Sequence, residues 1–328
     1  MGPARPTDRG PPGPTSTRSV SVDRPTPTRG GHDMSTTLMR WRSLAWVLPA
    51  LVLLLVFVYY PIVDNLRLSL FSWNAFSVAP TFVGLDNYRT AFHDPIFWTA
   101  LRNNTVFAIV SLVFQVGFSL VLAALLEEFV HERLRGILRT IYFIPAVISI
   151  TVAGILFSFL YNPEIGLVNR LLGAVGLESW QHSWLGEPST AMGSIIAMSQ
   201  WQSIGYTAIL FVVGIQRIPK EFHEAAKVDG AGPIRRFFSV TVPMVREMTT
   251  LIIILTVSGA FLVFNEVMVM TAGGPSNSSQ VLGTWLYRNA FLNDDMGYAS
   301  AIATVIFVIT LAIGAVQIVV SRRRRIQW

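Results

Sequence analysis

The stretch MGYASAIATVIFVITLAIGAVQIVVS, at residues 296–321, contains no charged side chain and is followed directly by Arg322-Arg323-Arg324-Arg325. An α-helix needs about 20 residues to cross the hydrocarbon of a bilayer, because it rises only about 1.5 Å per residue. A single Lys, Arg or Asp at the centre of such a helix would cost ~2.5–3.5 kcal/mol. The stretch therefore predicts a membrane-spanning helix, and the arginines predict a stop at the lipid headgroups rather than a nucleic-acid patch.

Five further intervals are free of charge and strongly apolar, and each is at least 18 residues long. The composition agrees, because 52% of the residues are hydrophobic and only 13% are charged, whereas about a quarter of the residues in a soluble domain are charged. We therefore predict an all-α integral membrane protein with six transmembrane helices. The other five intervals are 43–63, 105–126, 140–163, 188–216 and 248–265.

Two uncharged stretches, 68–85 and 267–287, do not qualify as spans. The first is interrupted by serine, asparagine, proline and glycine, and the second contains the run GGPSNSS at 273–279. Non-helical backbone of this kind would leave N–H and C=O groups without partners in lipid. Both stretches are predicted to be loops at the membrane surface.

Residues 1–37 are rich in Pro, Gly, Ser, Thr and Arg and nearly lack apolar side chains. Such a segment cannot bury enough surface to offset the entropy lost on ordering. We predict a disordered cytoplasmic tail at 1–37 and a transmembrane domain at 38–328. The first apolar interval is too long for the core of a signal peptide, and no small-residue cleavage site follows it, so we expect it to be retained as a span.

The distribution of Lys and Arg predicts which loops face the cytoplasm. If the N-terminus lies inside, 20 of the 25 Lys and Arg residues fall on the inner side. This imbalance satisfies the positive-inside rule, so both termini are predicted to be cytoplasmic. The five residues left outside are Arg67, Arg89, Arg102, Arg170 and Arg288.

The longest inner loop, at 217–243, has the sequence RIPKEFHEAAKVDGAGPIRRFFSVTVP. Pro219 suits the first turn of a helix, Gly230 can end that helix, and Pro233 can open a second one. The first helix would present a face with one aromatic and two small residues, which suits insertion into a groove of another protein. This face consists of Phe222, Ala225, Ala226 and Asp229.

Residues 224–243 resemble the EAA loop of ABC importer permeases. The pattern of that loop is Glu-Ala-Ala, three residues, Gly, nine residues, and then Ile-x-Leu-Pro. Val240 and Val242 replace the Ile and Leu of the pattern, and Asp229 gives the Asp-Gly pair that often accompanies it. The matching residues are Glu224, Ala225, Ala226, Gly230 and Pro243.

The resemblance extends over roughly residues 40–325 and is closest to the carbohydrate branch of the type I importers, near the larger maltose-permease-type subunit. Three further segments carry it: FVGLDNY at 82–88, NPEIGLVN at 162–169 and MTAGGP at 270–275. It implies the type I ABC importer permease architecture and a location in the bacterial plasma (inner) membrane.

The resemblance also implies a half-transporter that is not itself an enzyme. Its partners would be a second permease subunit, an ATPase dimer and an extracytoplasmic solute-binding protein. The chain contains no Walker-type glycine loop, so ATP and Mg would be bound by the partner ATPase, and this chain would bind no cofactor or metal. The loop helix would act as a lever in a cleft of the ATPase. The predicted coupling residues are Phe222, Glu224, Ala225, Ala226, Asp229 and Gly230.

Polar side chains at membrane depth tend to face protein or water, which makes them candidates for the solute path. Gln202, Asn265 and Glu266 are such residues, and the rings of Trp201 and Tyr206 suit stacking on a sugar. The competing interpretation is that the aromatic residues anchor span ends at the interface and that the amides bond neighbouring helices.

Three alternatives to a sugar permease remain open. The first is an ABC permease for another solute, such as glycerol phosphate. The second is a membrane enzyme, although the five histidines are scattered and none forms a His-x-x-x-His pair. The third is a secondary transporter, which would need intramembrane ionisable groups, and only Glu266 qualifies.

Overall fold

The computed structural model describes residues 46–322, except residues 75, 77 and 78, together with the isolated residue Gly2. The contacts divide the chain into two units, Met1–Val58 and Tyr59–Trp328. In the first unit the described residues 46–58 are helical. The tail predicted at 1–37, apart from Gly2, lies outside the described residues, as does the domain boundary predicted after residue 37.

Nearly all secondary structure in the described part of the chain is helical. One short exception is an antiparallel pair of strands, β1 (Phe71–Ser72) and β2 (Thr81–Phe82), in the stretch predicted to be a surface loop. The helices are α1 (Trp46–Leu68), α2 (Asp86–His93), α3 (Pro95–Phe129), α4 (Glu132–Val147), α5 (Ile150–Leu160), α6 (Leu167–Ala174), α7 (Ala191–Gln216), α8 (Lys220–Val228), α9 (Pro233–Met244), α10 (Arg246–Phe261), α11 (Asn265–Met270), α12 (Leu282–Tyr287) and α13 (Met296–Arg322).

Four helices, α1, α3, α7 and α13, are long and apolar enough to cross a membrane. Two bent pairs, α4 with α5 and α9 with α10, pass the same test together, which gives up to six spans if each pair counts as one. Each of the six charge-free intervals of the sequence overlaps one of these elements. The predicted all-α membrane architecture is therefore confirmed.

The third and fifth spans are not the straight rods that uninterrupted charge-free intervals suggest. The α4–α5 pair bends by 95° and the α9–α10 pair by 72°. Pro145 lies in the last turn of α4, and the extended backbone of Ile148 and Ser149 follows it. Pro243 lies just before the second bend, which falls at Val245. Proline has no N–H for the helix ladder, so both bends occur where that ladder is already weakened.

The stretch 267–287, predicted to be a loop at the membrane surface, is partly helical, and its position relative to the surface stays a prediction. It folds into α11, a turn and α12, and Val281 and Leu282 are fully buried. Two asparagines of α3 satisfy its backbone. Asn103 Nδ2 donates to the carbonyl oxygens of Ser278 and Gln280, both at 2.8 Å. Asn104 accepts from the Leu282 N–H at 2.8 Å and donates to the Ala260 carbonyl at 2.7 Å. Side chains of α3 thus pair backbone groups that the turn between α11 and α12 leaves open.

Helix α3 connects the two groups of loops that the sequence places on opposite sides. At its start Asp94 accepts hydrogen bonds from Trp285 Nε1 at 2.8 Å and from the Tyr298 hydroxyl at 2.7 Å. At its end Glu127 pairs with Arg135 at 2.9 Å. The 35 residues of α3 span about 50 Å, which exceeds the hydrocarbon thickness of about 30 Å. Segments predicted to be outer and inner thus lie at opposite ends of one helix, while the end that faces the cytoplasm stays a prediction.

Helices α4 and α7 cross in close contact at Gly205. A Cβ atom added at Gly205 would lie only 1.9 Å from the carbonyl oxygen of Tyr142. No rotation of a side chain could relieve that clash, because the obstacle is backbone. Glycine is therefore required for the two helices to approach this closely.

We expect Gly205→Ala to force these helices apart and to lower the Tm of the purified protein in detergent, at a cost of ~1–3 kcal/mol or more. The control is Gly193→Ala on the same helix, where an added Cβ would meet no atom within 4 Å. This control should keep or slightly raise the Tm, because Ala is the better helix former. Equal Tm values for the two variants would contradict the close crossing.

Candidate coupling loop and solute cavity

The loop at 217–243 contains the two short helices that its sequence predicts. Pro219 precedes α8, and Pro233 is the first residue of α9. Helix α8 ends in a Schellman motif, in which the Ala231 N–H donates to the Ala226 carbonyl at 2.8 Å and the Gly230 N–H donates to the Lys227 carbonyl at 3.0 Å.

Gly230 has φ +74°, and an added Cβ would meet no atom within 4 Å. The requirement for glycine is therefore conformational, because L-residues are strained at this φ, and it is not a matter of space. In this motif the Ala226 carbonyl accepts the hydrogen bond from the Ala231 N–H, and the residue four positions after Ala226 must have a positive φ. That residue is Gly230, which explains the spacing of Ala226 and Gly230 in the EAA pattern.

The predicted coupling residues lie together on one short and largely exposed segment. No residue of α8 is buried, and Phe222 is 42% exposed. Two further apolar side chains nearby, Val228 and Ile234, are 88% and 76% exposed. Asp229 is the C-cap of α8 and not a residue within the helix. The segment thus combines exposed apolar and acidic groups, as expected of a surface that another protein covers.

A cavity of about 330 Å³ lies between the spans. Its polar lining residues carry amide or hydroxyl groups, and its other lining residues are aliphatic. No charged side chain is among the residues that line it. The lining residues are Gln115, Ala146, Gln202, Ser203, Tyr206, Thr207, Leu210, Ile252, Leu255 and Thr256.

Interruptions of two helices border this cavity. Gln115 lies in the π-helical segment Leu112–Phe118 of α3, and Ala146 lies in the last turn of α4 before its bend. Ile252 comes from the regular part of α10. π-helical segments of this kind often occur at functional sites. Gln202 Nε2 donates to the Ile148 carbonyl at 2.6 Å, so a residue of the cavity wall satisfies backbone that the α4–α5 bend leaves open.

The structure brings together only two of the five residues predicted for the solute path. Gln202 and Tyr206 line the cavity, whereas Trp201, Asn265 and Glu266 are not among its lining residues. The Trp201 ring instead packs against the Phe157 ring, with centroids 5.0 Å apart. Asn265 and Glu266 are the first two residues of α11. The functional role of all five residues stays a prediction.

Four further polar residues of the cavity, Gln115, Ser203, Thr207 and Thr256, were not predicted. Two sequence signals point to the first three of them. Gln115 carries the one amide in the interval 105–126. On α7, Gln202 with Ser203 and Tyr206 with Thr207 repeat at i, i+4 spacing, which forms a polar stripe on one helix face.

Searches against known proteins give concordant results. Residues 115–326 match the family described as "Binding-protein-dependent transport system inner membrane component". The chain is 53% identical over 272 residues to the "Probable ABC transporter permease protein YurN" of Bacillus subtilis (strain 168). This match covers 83% of this chain and 93% of that protein. It is 32% identical over 283 residues to the "Lactose transport system permease protein LacF" of Rhizobium radiobacter, covering 85% and 94% respectively.

The fold is also similar to a chain of a solved transporter. The crystal structure of a bacterial ABC transporter involved in the import of the acidic polysaccharide alginate matches with a TM-score of 0.77 and 24% identity. The match covers 89% of this chain and 99% of that one. The likeness shows a shared fold. Since the family pattern also covers more than half of the chain, the protein belongs to the family of binding-protein-dependent transport system inner membrane components.

Proposed function

We propose that this chain is the transmembrane permease subunit of an ATP-driven importer of neutral carbohydrates. It would form half of the solute pathway and couple that pathway to an ATPase. The observation that carries the proposal is the combination, in one chain, of an exposed EAA-type loop with an uncharged polar cavity between bent spans.

The cavity supports a carbohydrate as cargo. Amides and hydroxyls donate and accept hydrogen bonds, which suits the many hydroxyls of a sugar, and the Tyr206 ring offers an apolar surface for stacking. A volume of about 330 Å³ is at the lower end of the range for ligand sites, about 300–1,000 Å³. The second permease subunit would supply the opposite wall. The name of the Rhizobium radiobacter relative, which refers to lactose, agrees with this cargo class.

The lack of charge among the described lining residues favours a neutral sugar over glycerol phosphate. An anion moved into this space would lose its hydration without gaining a cationic partner from this chain. The permease of similar fold is named for alginate, an acidic polysaccharide, so carriers of this architecture are not restricted to neutral cargo. The lining of the pathway, and not the fold, would set the preference.

The exposed loop supports coupling to a separate ATPase. Phe222 would bury the largest area in a cleft of the ATPase, Ala225 and Ala226 would let the two backbones approach closely, and Glu224 and Asp229 would pair with its basic groups. Closure of an ATPase dimer on ATP would then move α8 and tilt the spans from inward-open to outward-open. ATP and Mg would be bound by that partner.

The complete transporter, in the bacterial inner membrane, would contain three further kinds of protein. These are a second permease, the ATPase dimer and an extracytoplasmic solute-binding protein. The alginate transporter has been solved in complex with a periplasmic protein that holds an alginate pentasaccharide, which supports the last of these partners. Both termini of this chain would face the cytoplasm, where the ATPase lies.

We expect Gly230→Val to lower uptake strongly while the protein stays inserted in the membrane. The positive φ of Gly230 is unfavourable for a β-branched residue by ~1–2 kcal/mol or more, so the turn after α8 would deform. Gly230→Asn should retain much of the activity, because Asn tolerates this conformation. Gly232→Val is the matched control, since Gly232 has φ −66° and equally open surroundings. Uptake by membrane vesicles measures the series, and equal uptake in all three variants would remove the assignment of the turn.

We expect Tyr206→Ala to raise the KM for uptake or to abolish transport, because it removes the aromatic wall of the cavity. Val213→Ala on the same helix is the control, since Val213 is exposed but does not line the cavity. Both proteins should be present in the membrane in equal amounts. The solute-path role of Tyr206 would be refuted if the two variants transported with the same kinetics.

We expect the complex, purified with its partner subunits, to hydrolyse ATP faster when its binding protein carries a neutral sugar. A screen of mono-, di- and oligosaccharides, glycerol phosphate, amino acids and peptides measures this stimulation. Stimulation by glycerol phosphate alone would overturn the neutral cargo. Stimulation by amino acids or peptides alone would overturn the carbohydrate cargo and leave the importer assignment intact.

A further inference from the structure

Two consecutive carboxylates, Glu127 and Glu128, lie at the end of α3. Glu128 forms an ion pair with Arg236 of α9. The same guanidinium donates through Nη1 to the Ala231 carbonyl at 3.1 Å. Because Ala231 directly follows Gly230, Arg236 connects the turn that ends α8 to a membrane span.

Glu127 holds the opposite end of the loop. Its Oε2 atom accepts from Arg135 Nη1 at 2.9 Å and from Gln216 Nε2 at 3.4 Å, and its Oε1 atom pairs with Arg139. Gln216 is the last residue of α7 and immediately precedes the loop at 217–243. The entrance of the loop and the segment near its exit are therefore both fastened to adjacent residues of α3.

These ion pairs are partly shielded from solvent. The side chains of Glu127 and Arg236 are each 12% exposed, and that of Glu128 is 24% exposed. Ion pairs on an open surface contribute little because water and salt screen them, whereas partly buried pairs are screened much less. Removal of one partner would leave the other charge desolvated and unpaired.

The other attachment of the loop is apolar. Phe237 and Val240 pack against a cluster that includes Leu120 of α3 and Phe211 of α7. Such contacts hold surfaces together without fixing direction, because hydrophobic attraction is non-directional. Helix α8 has no buried residue through which it could pull on the spans directly. The covalent chain joins the loop to α7 and α10, and the ion pairs add attachments of defined geometry to α3 and α4.

We propose that the carboxylate pair Glu127–Glu128 transmits movement of the coupling loop to the spans. Glu128 makes the loop and α3 move as one unit, through Arg236. Glu127 spreads that movement to α4 through Arg135 and Arg139, and to α7 through Gln216. The inference rests on the proposed function, since it needs an ATPase that moves α8. The two glutamates are positioning residues and lie outside the EAA pattern.

Spin labels test this transmission directly, because the chain has no cysteine. One label at Lys227→Cys, which lies outside the predicted coupling residues, reports on the loop, and a second at Phe118→Cys reports on α3; both positions are exposed. The complete transporter, with its ATPase and binding protein, is placed in lipid nanodiscs, and the distance between the labels is measured before and after trapping with Mg-ATP and vanadate.

In the otherwise unchanged chain we expect the label distance to stay constant on trapping. In Glu128→Gln or Arg236→Gln it should shift by about one helical turn, ~5 Å, because the loop moves without α3. The exchanged pair Glu128→Arg with Arg236→Glu should restore the constant distance. Glu132→Gln, an exposed carboxylate of the neighbouring segment, is the control and should change nothing.

Three results would overturn the proposal. The first is a distance that shifts on trapping in the unchanged chain. The second is a lower Tm in Glu128→Gln and Arg236→Gln with no change in the distance, which would indicate a purely structural role. The third is an equal shift in Glu132→Gln. Failure of the proposed function would be distinct, since the unchanged chain would then assemble no complex that hydrolyses ATP.

Discussion

The requirement that every backbone N–H and C=O at membrane depth finds a partner inside the protein governs this structure. Regular helices satisfy it along most of each span. Where a helix is interrupted, the side chain of a neighbouring helix can take the place of the missing backbone partner, and at several of these breaks that side chain is an amide. The observed replacements are Gln202 on the Ile148 carbonyl, Asn103 on the carbonyls of Ser278 and Gln280, and Asn104 on the Ala260 carbonyl and the Leu282 N–H.

The same interruptions create the space that a solute needs. Straight, fully apolar helices would pack or face lipid, whereas bends and a π-helical segment open a cavity whose walls carry amides and hydroxyls. Under the proposed function, polar groups that the protein orients in such a wall would replace the water around a sugar. The ion pairs among described residues lie outside this cavity wall. Charged side chains would thus couple the loop to the spans, and uncharged polar side chains would contact the cargo.

In the coupling loop, by contrast, hydrogen bonds between neighbouring residues determine the shape of α8, and its side chains stay exposed. The Schellman motif of Ala226 and Gly230 needs only neighbouring residues, so α8 keeps its form without packing against the spans. Its apolar and acidic side chains stay exposed, where the proposed ATPase would bind. Glu127 and Glu128 hold the loop through Gln216 and Arg236. These contacts lie at its attachments to the spans and not on the exposed face of α8.

The sequence by itself determined the membrane class, the six spanning intervals, the two short helices of the loop and the turn at Gly230. Each of these follows from local physics, namely hydropathy, proline and glycine geometry, and the period of the helix. Only the tertiary structure decided the bends of the third and fifth spans, the burial of Val281 and Leu282 within the stretch 267–287, and the separation of Trp201, Asn265 and Glu266 from the cavity that Gln202 and Tyr206 line. The meeting of Glu128 with Arg236, 108 residues apart, likewise depended on the fold. Hydropathy reports whether a segment is stable in lipid, but partners for broken backbone and buried charge come from distant helices, and no local pattern specifies them.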